Sequence, residues 1–141
     1  MIKDMAIDAL YGKHQEIQVK RLLSDIYNKK FKYYSEDIYA TFDFMSEDDS
    51  MILELKSRRC KSNQYPTTIV GLNKIEKAKE LVKNDKIVKF LFNFTDGLYE
   101  WCLSENYEIK KGGRTDLIGK KGWKDYCHIK VSNLNLVKSY A

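Results

Sequence analysis

Asp43, Glu54 and Lys56 are the residues whose types and spacing point most directly to chemistry. They lie in IYATFDFMSEDDSMILELKSRR, residues 38–59, a stretch that reads as a β-hairpin. Two β-rich runs, Tyr39 to Met45 and Met51 to Ser57, flank the acidic turn Glu47-Asp48-Asp49-Ser50. If that turn closes the hairpin, Ser46 faces Met51 and Asp43 lies directly opposite Glu54. Side chains alternate faces along a strand, so Thr41, Asp43 and Met45 share a face with Ile52, Glu54 and Lys56, while Phe42, Phe44, Leu53 and Leu55 form the other. One face is then wholly apolar, and the other carries two carboxylates and an ammonium. Carboxylates opposed in this way have Cβ atoms roughly 4.5–5.5 Å apart and repel unless a cation lies between them. Lys56 supplies part of that cation. A divalent ion does it better: Mg²⁺ takes oxygen ligands in near-octahedral geometry, usually one or two carboxylates plus waters and phosphate oxygens. The trio therefore suits metal-assisted phosphodiester hydrolysis, in which the ion activates water and the lysine stabilises developing charge.

Asp43 on one strand, ten intervening residues, and Glu54-Leu55-Lys56 on the next resemble the PD-(D/E)XK nuclease superfamily, which includes restriction endonucleases, Holliday-junction resolvases and phage exonucleases. The resemblance implies an α/β (α+β) restriction-endonuclease-like fold, a central mixed β-sheet flanked by helices. Its core of helix, β-meander, second helix and further strand would run from about Asp8 to Leu103. The resemblance also implies Asp43 and Glu54 as metal ligands, joined by the backbone carbonyl of Leu55, with Lys56 as the catalytic lysine. Mg²⁺ is the implied cofactor, with Mn²⁺ as a substitute. Phe42 stands where the name-giving proline would be. Small members of the superfamily include dimeric junction resolvases and phage or viral DNA-processing enzymes, so the expected partners are DNA, with RNA left open, and a second copy of the chain.

Other elements must position these groups. Val19, Leu22, Leu23 and Ile26 recur at helical spacing and predict an amphipathic helix from about Gly12 to Tyr27. Glu16 falls within that stripe, so its carboxylate either points inward at the sheet or reaches the helix edge and pairs with a lysine. By resemblance, a first-helix glutamate approaches the metal. Asn28 to Asp37 reads as a connection or a short edge strand. The basic loop from Ser57 to Pro66 carries Arg58, Arg59 and Lys61, suited to a phosphate backbone, and Tyr65, which either stacks on a base or sugar or packs at a rim. Pro66 with Thr67 or Thr68 predicts a second helix start, continued by Leu72, Ile75, Ala78 and Val82 to about Lys83. Lys74, Lys77 and Lys83 on its other flank are a solvated face or, through Lys74, an extension of the phosphate track.

Lys86 to Leu103 predicts a second hairpin turned by Asp96-Gly97, with Phe90, Phe92 and Phe94 paired with Tyr99, Trp101 and Leu103. Asn93 and Glu100 face the other way, as a hydrogen-bonded pair or as flanks of the site. Lys110 to Asp125 holds four glycines and six basic residues and reads as a flexible loop. It either closes over nucleic acid with Arg114, Lys120, Lys121, Lys124 and Trp123 or is a surface insertion with Trp123 in the core. Tyr126 to Val131 alternates as a strand, and Leu134, Leu136 and Val137 mark a short terminal element. A second match, Glu108-Ile109-Lys110, lacks context: Asp96 upstream occupies a turn and no helix follows.

At 141 residues a single domain is expected, burying roughly two thirds of its unfolded surface. The formal charge of +5 has the sign a polyanion partner requires. Three cysteines without CxxC spacing and two histidines exclude a zinc site, and the thiols are expected to pack as small apolar groups in a reducing cytoplasm, that of the host if the gene is viral. Neither a signal-peptide core nor a run of transmembrane length is present, so no membrane partner is expected. Walker, GxGxxG and GxSxG motifs are absent. Two functions remain foremost: a metal-dependent deoxyribonuclease and a nucleic-acid-binding module of the same fold without catalysis. A protein-interaction domain would respond to neither magnesium nor DNA.

Overall fold

The computed structural model describes residues 2–35, 42–113 and 123–141, with side chains from residue 10 onward except at 113, 123 and 124. The chain runs α1 (Ile2–Tyr27), β1 (Phe31–Tyr33), β2 (Phe44–Ser46), β3 (Met51–Ser57), β4 (Thr67–Gly71), α2 (Leu72–Lys83), β5 (Ile87–Phe94), β6 (Gly97–Cys102), β7 (Glu108–Gly113), β8 (Trp123–Lys130) and β9 (Asn135–Ser139). Six strands form one mixed sheet in the order β1-β2-β3-β5-β6-β9, and β4-β8-β7 form a second. Only the β3–β5 pairing in the large sheet is parallel. A parallel neighbour demands a crossover, and here β4 and α2 supply it.

Each helix covers one face of the large sheet. Val19 and Leu23 of α1 are buried with Phe44, Leu53, Leu91 and Leu98. Ile75 and Ala78 of α2 are buried with Ile52, Phe90, Phe92 and Trp101, and Val70 of β4 and Ile129 of β8 join them. This is an α+β restriction-endonuclease-like core, as the sequence implied. Strand β5 has apolar side chains on both faces because it is central, and Phe90 to Phe94 are all buried.

Several element boundaries differ from the sequence expectation for identifiable reasons. Helix α1 begins about ten residues before Gly12, and a single glycine costs only about 1 kcal/mol in a helix this long. It stops where Asn28 takes φ 53°, a left-handed conformation that asparagine tolerates. The segment after Pro66 is strand β4, not helix: the β-branched run Thr-Thr-Ile-Val pairs with β8, and α2 starts only at Leu72. The expected loop from Lys110 to Asp125 is partly a hairpin, since Lys110 to Gly113 lie in β7 and pair with the start of β8. Cys127 is buried, but Cys102 is exposed, so the thiols do not all pack as apolar groups.

The second hairpin keeps its predicted faces but slips by two residues. Phe90 pairs with Trp101, Phe92 with Tyr99 and Phe94 with Gly97, which leaves Thr95-Asp96 in the turn. Neither turn residue has positive φ, so the turn is not type I′. Gly97 instead answers a close approach: an added Cβ would lie 3.0 Å from the Lys138 carbonyl and 3.1 Å from Leu136 Cδ1 of β9. Asp96 is held by Ser62, whose N–H and hydroxyl donate to its carboxylate at 2.8 and 2.7 Å.

Asn93 and Glu100 do not pair with each other. Glu100 accepts from Lys89 Nζ at 2.8 Å. Asn93, buried at 2 % exposure, joins three elements: its Nδ2 donates to Gln15 Oε1 of α1 at 2.8 Å, its Oδ1 accepts from the Tyr140 hydroxyl at 2.6 Å, and its backbone carbonyl accepts from Arg58 N–H at 2.8 Å. Asn93→Leu is expected to destabilise the fold by about 1–3 kcal/mol in urea unfolding, because Gln15 and Tyr140 lose a buried partner.

Candidate active site

The site forms where the β2–β3 ladder ends. Phe44 lies opposite Leu53 and Met45 opposite Ile52, the register predicted by the four-residue turn. Asp48 organises that turn: its carboxylate accepts from Ser50 N–H at 3.1 Å and from Lys29 Nζ at 2.6 Å. At Asp43 the chain bends out of the strand. Its N–H donates to the Leu53 carbonyl at 3.1 Å, and its own carbonyl accepts from Tyr34 N–H at 2.9 Å. Its carboxylate Oδ2 accepts the Leu55 N–H at 2.7 Å, replacing the backbone acceptor that a longer β2 would have offered. Within a strand, the N–H and C=O of one residue leave on the same side, so the Leu55 carbonyl is directed toward Asp43 as well.

The bend also overturns the expected wholly apolar face. Phe42 packs with Ile52 on the α2 side, while Phe44 and Leu53 pack on the α1 side. Its ring lies 5.8 Å from that of Tyr34 and 5.8 Å from Lys74 Nζ.

Glu54 is only 4 % exposed. Lys74, in the first turn of α2, places its Nζ 2.9 Å from Glu54 Oε2. That oxygen is nonetheless buried without a hydrogen bond among the described residues, so the contact is an ion pair lacking hydrogen-bond alignment. Burial, reinforced by hydrogen bonding to Asp43 and by its charge, pushes the Glu54 carboxyl up to about 8 against the opposing pull of Lys56 and Lys74. Near neutral pH the Glu54 carboxyl is therefore held toward its protonated form.

Lys56 opens into a cavity of about 370 Å³ between α1 and the end of β3. Glu16, Leu55, Arg58, Arg59 and Tyr11 also line it, whereas Glu54 does not. Glu16 combines its two expected placements: it lines this cavity, and Lys13 Nζ lies 3.8 Å from its Oε1. Its pKa is raised by burial and then by the Asp43 charge, with Lys13 opposing.

The basic residues beyond Lys56 diverge. Arg58 is tied inward, Nη2 donating to the Ile69 carbonyl at 2.8 Å and Nε to Thr68 Oγ1 at 3.4 Å, and burial lowers its pKa. Arg59 stacks on Tyr11, 4.4 Å from the ring centroid. Lys61 and Tyr65 are exposed. Lys74 stands at Glu54 rather than along the loop, a contact that 20 positions of sequence separation and an intervening strand gave no means of anticipating. Arg114, Lys120 and Lys121 lie outside the described residues, and Trp123 and Lys124 are placed only as backbone of β8. In the second Glu-x-Lys match, Glu108 and Lys110 are exposed on β7 and pair with each other at 3.6 Å.

Among the described residues no three His, Cys, Asp or Glu side chains come together. An ion here would draw on two carboxylates, Asp43 and Glu54, and on the Leu55 carbonyl. That all-oxygen set, completed by waters and a phosphate, is one that a hard divalent cation accepts. The buried Glu54 Oε2, which has no aligned hydrogen bond and meets Lys74 Nζ at 2.9 Å, already faces one cation and could take a metal ion in its place.

Fold and site together define a restriction-endonuclease-like protein with an Asp/Glu-x-Lys constellation on its central hairpin. The family described as "Phage putative PDDEXK endonuclease" matches residues 9–137, and the chain belongs to it. Nucleases of this kind generally use divalent metals. No curated protein matches the chain.

Proposed function

We propose that this protein is a metal-dependent nuclease, folded as one domain, that hydrolyses phosphodiester bonds in DNA. The observation that carries the reading is the contact of Asp43 with Glu54, with Lys56 near enough for its charge to act on Glu54, at a bend where the Asp43 carboxylate takes the Leu55 N–H and the Leu55 carbonyl leaves on the same side. Asp43, Glu54 and Leu55 would hold Mg²⁺ or Mn²⁺. When bound, the ion supplies Lewis acidity and an activated water. Lys56 stands beside the scissile phosphate and stabilises charge that grows in the transition state. Glu16 borders the same space and would orient a water there. Lys74 neutralises Glu54 from the α2 side, while Arg59 and Lys61 meet the phosphate backbone. A second copy of the chain would supply the other active site on a two-stranded substrate.

One observation favours the non-catalytic alternative: with its pKa raised and Lys74 at 2.9 Å, the buried Glu54 is compensated without an ion. A cleavage screen over branched, duplex and single-stranded DNA, with Mg²⁺ or Mn²⁺ against an EDTA control, separates the readings. Cleavage that EDTA abolishes is the expected result. DNA binding with no cleavage of any substrate in either metal would leave a binding module.

A further inference from the structure

Arg58 is the wall between two hollows. On one side lies the cavity of Lys56. On the other, a second cavity of about 320 Å³ opens between the Ser57–Pro66 loop and β4. Phe94 and Val131 line it with Ile69, and Tyr65 and Lys61 stand at its rim. Its size is that of a small-ligand pocket. Tyr65 is 58 % exposed and Ile69 36 %, so apolar surface is left open to water beside two cationic side chains.

The loop that presents Tyr65 is anchored. Ser62 is bonded through its N–H and hydroxyl to Asp96, the Tyr99 hydroxyl donates to Ser62 Oγ at 3.1 Å, and Thr95 N–H donates to the Cys60 carbonyl at 3.0 Å. A loop held at Cys60 and Ser62 keeps its backbone order when a ligand stacks on the ring it carries. Neither a phosphate nor a water satisfies an apolar hollow with an aromatic rim. A planar heterocycle carried on a polyanion does, because its face stacks and its charge meets Lys61.

We propose that this hollow takes one unpaired nucleobase, stacked on Tyr65, from the strand whose phosphate lies at Lys56. The substrate class is then nucleic acid with at least one unpaired nucleotide beside the scissile bond, not continuous duplex. In a duplex the base would first have to leave its stack, which costs energy that an unpaired position does not. The inference rests on the nuclease reading and on Arg58 being common to both hollows.

The test uses the full chain in Ca²⁺, with fluorescence anisotropy for a perfect duplex and for the same duplex carrying one unpaired 2-aminopurine. The wild type is expected to prefer the second DNA and to quench its 2-aminopurine. Tyr65→Ala should lower affinity for that DNA by about tenfold or more, remove the quenching and bring the preference toward parity, whereas Tyr65→Phe should retain all three. Equal affinity for the two DNAs in the wild type, or quenching that survives Tyr65→Ala, overturns the inference; DNA cleavage in Mg²⁺ by the same preparation would leave the nuclease reading standing. Failure to bind or cleave any DNA overturns both.

Discussion

Lys56→Met is expected to bind DNA nearly as well as the wild type and to cleave it about a hundred- to a thousandfold more slowly, the scale seen when one preorganised charge-stabilising group is removed. The asymmetry follows from where the lysine stands. It sits two residues after Glu54 on β3, close enough for its charge to lower the Glu54 pKa, and it borders the cavity that a scissile phosphate would occupy. In the ground state the phosphate meets several cations, and one fewer matters little. In the transition state negative charge concentrates on the oxygens nearest Lys56, and no other described lysine lines that cavity. Methionine keeps most of the apolar length of the half-buried side chain, so packing is preserved. Affinity is measured in Ca²⁺ and single-turnover cleavage in Mg²⁺. Equal losses in both would make Lys56 a binding contact, and full cleavage would remove it from the chemistry.

The second large effect concerns stability. The Glu54 carboxyl is held at about 8 in the fold against an ordinary 4.5, so the folded state binds the extra proton across the interval between those values. Its stabilising contribution is whole below pH 4.5, declines as pH climbs and is gone once pH passes about 8. Glu54→Gln is neutral at every pH and escapes that decline. Urea unfolding at pH 5 should find the variant close to the wild type, and at pH 8.5 more stable by on the order of 2–3 kcal/mol, after allowance for the ion partner that Lys74 loses. A variant less stable than the wild type at pH 8.5 would mean that Lys74 already compensates the buried carboxylate fully.

The central hairpin was legible because its information is local. The Asp48-centred turn fixes the register, and the register ends at Phe44 opposite Leu53, which leaves Asp43 beside the segment of β3 that carries Glu54. The bend at Asp43 was not legible, since it depends on Tyr34 of the neighbouring segment and on Leu55 N–H choosing a side chain over a backbone carbonyl. Strand β4 was not legible because Pro66 suits a helix start as well as a strand, and its pairing partner β8 lies some sixty residues away. The slip in the second hairpin has the same origin: Gly97 looked like a turn glycine but serves the approach of β9, a partner about forty residues distant. The helical stripe made the inward placement of Glu16 legible, and that placement puts it at the cavity of Lys56. Lys74 was seen, but its contact with Glu54 was not, because the crossover from β3 to β5 decides where α2 lies.

Calorimetric titration of Mn²⁺ at pH 7, in two buffers of different ionisation enthalpy, tests the central claim most directly. The wild type is expected to bind Mn²⁺ and release about one proton, since the ion must displace the proton that Glu54 holds. Affinity should rise with pH and level off above about 8. Asp43→Asn and Glu54→Gln, which keep shape but delete an anionic ligand, should each abolish measurable binding while remaining folded. Unchanged Mn²⁺ affinity in both variants would contradict the account.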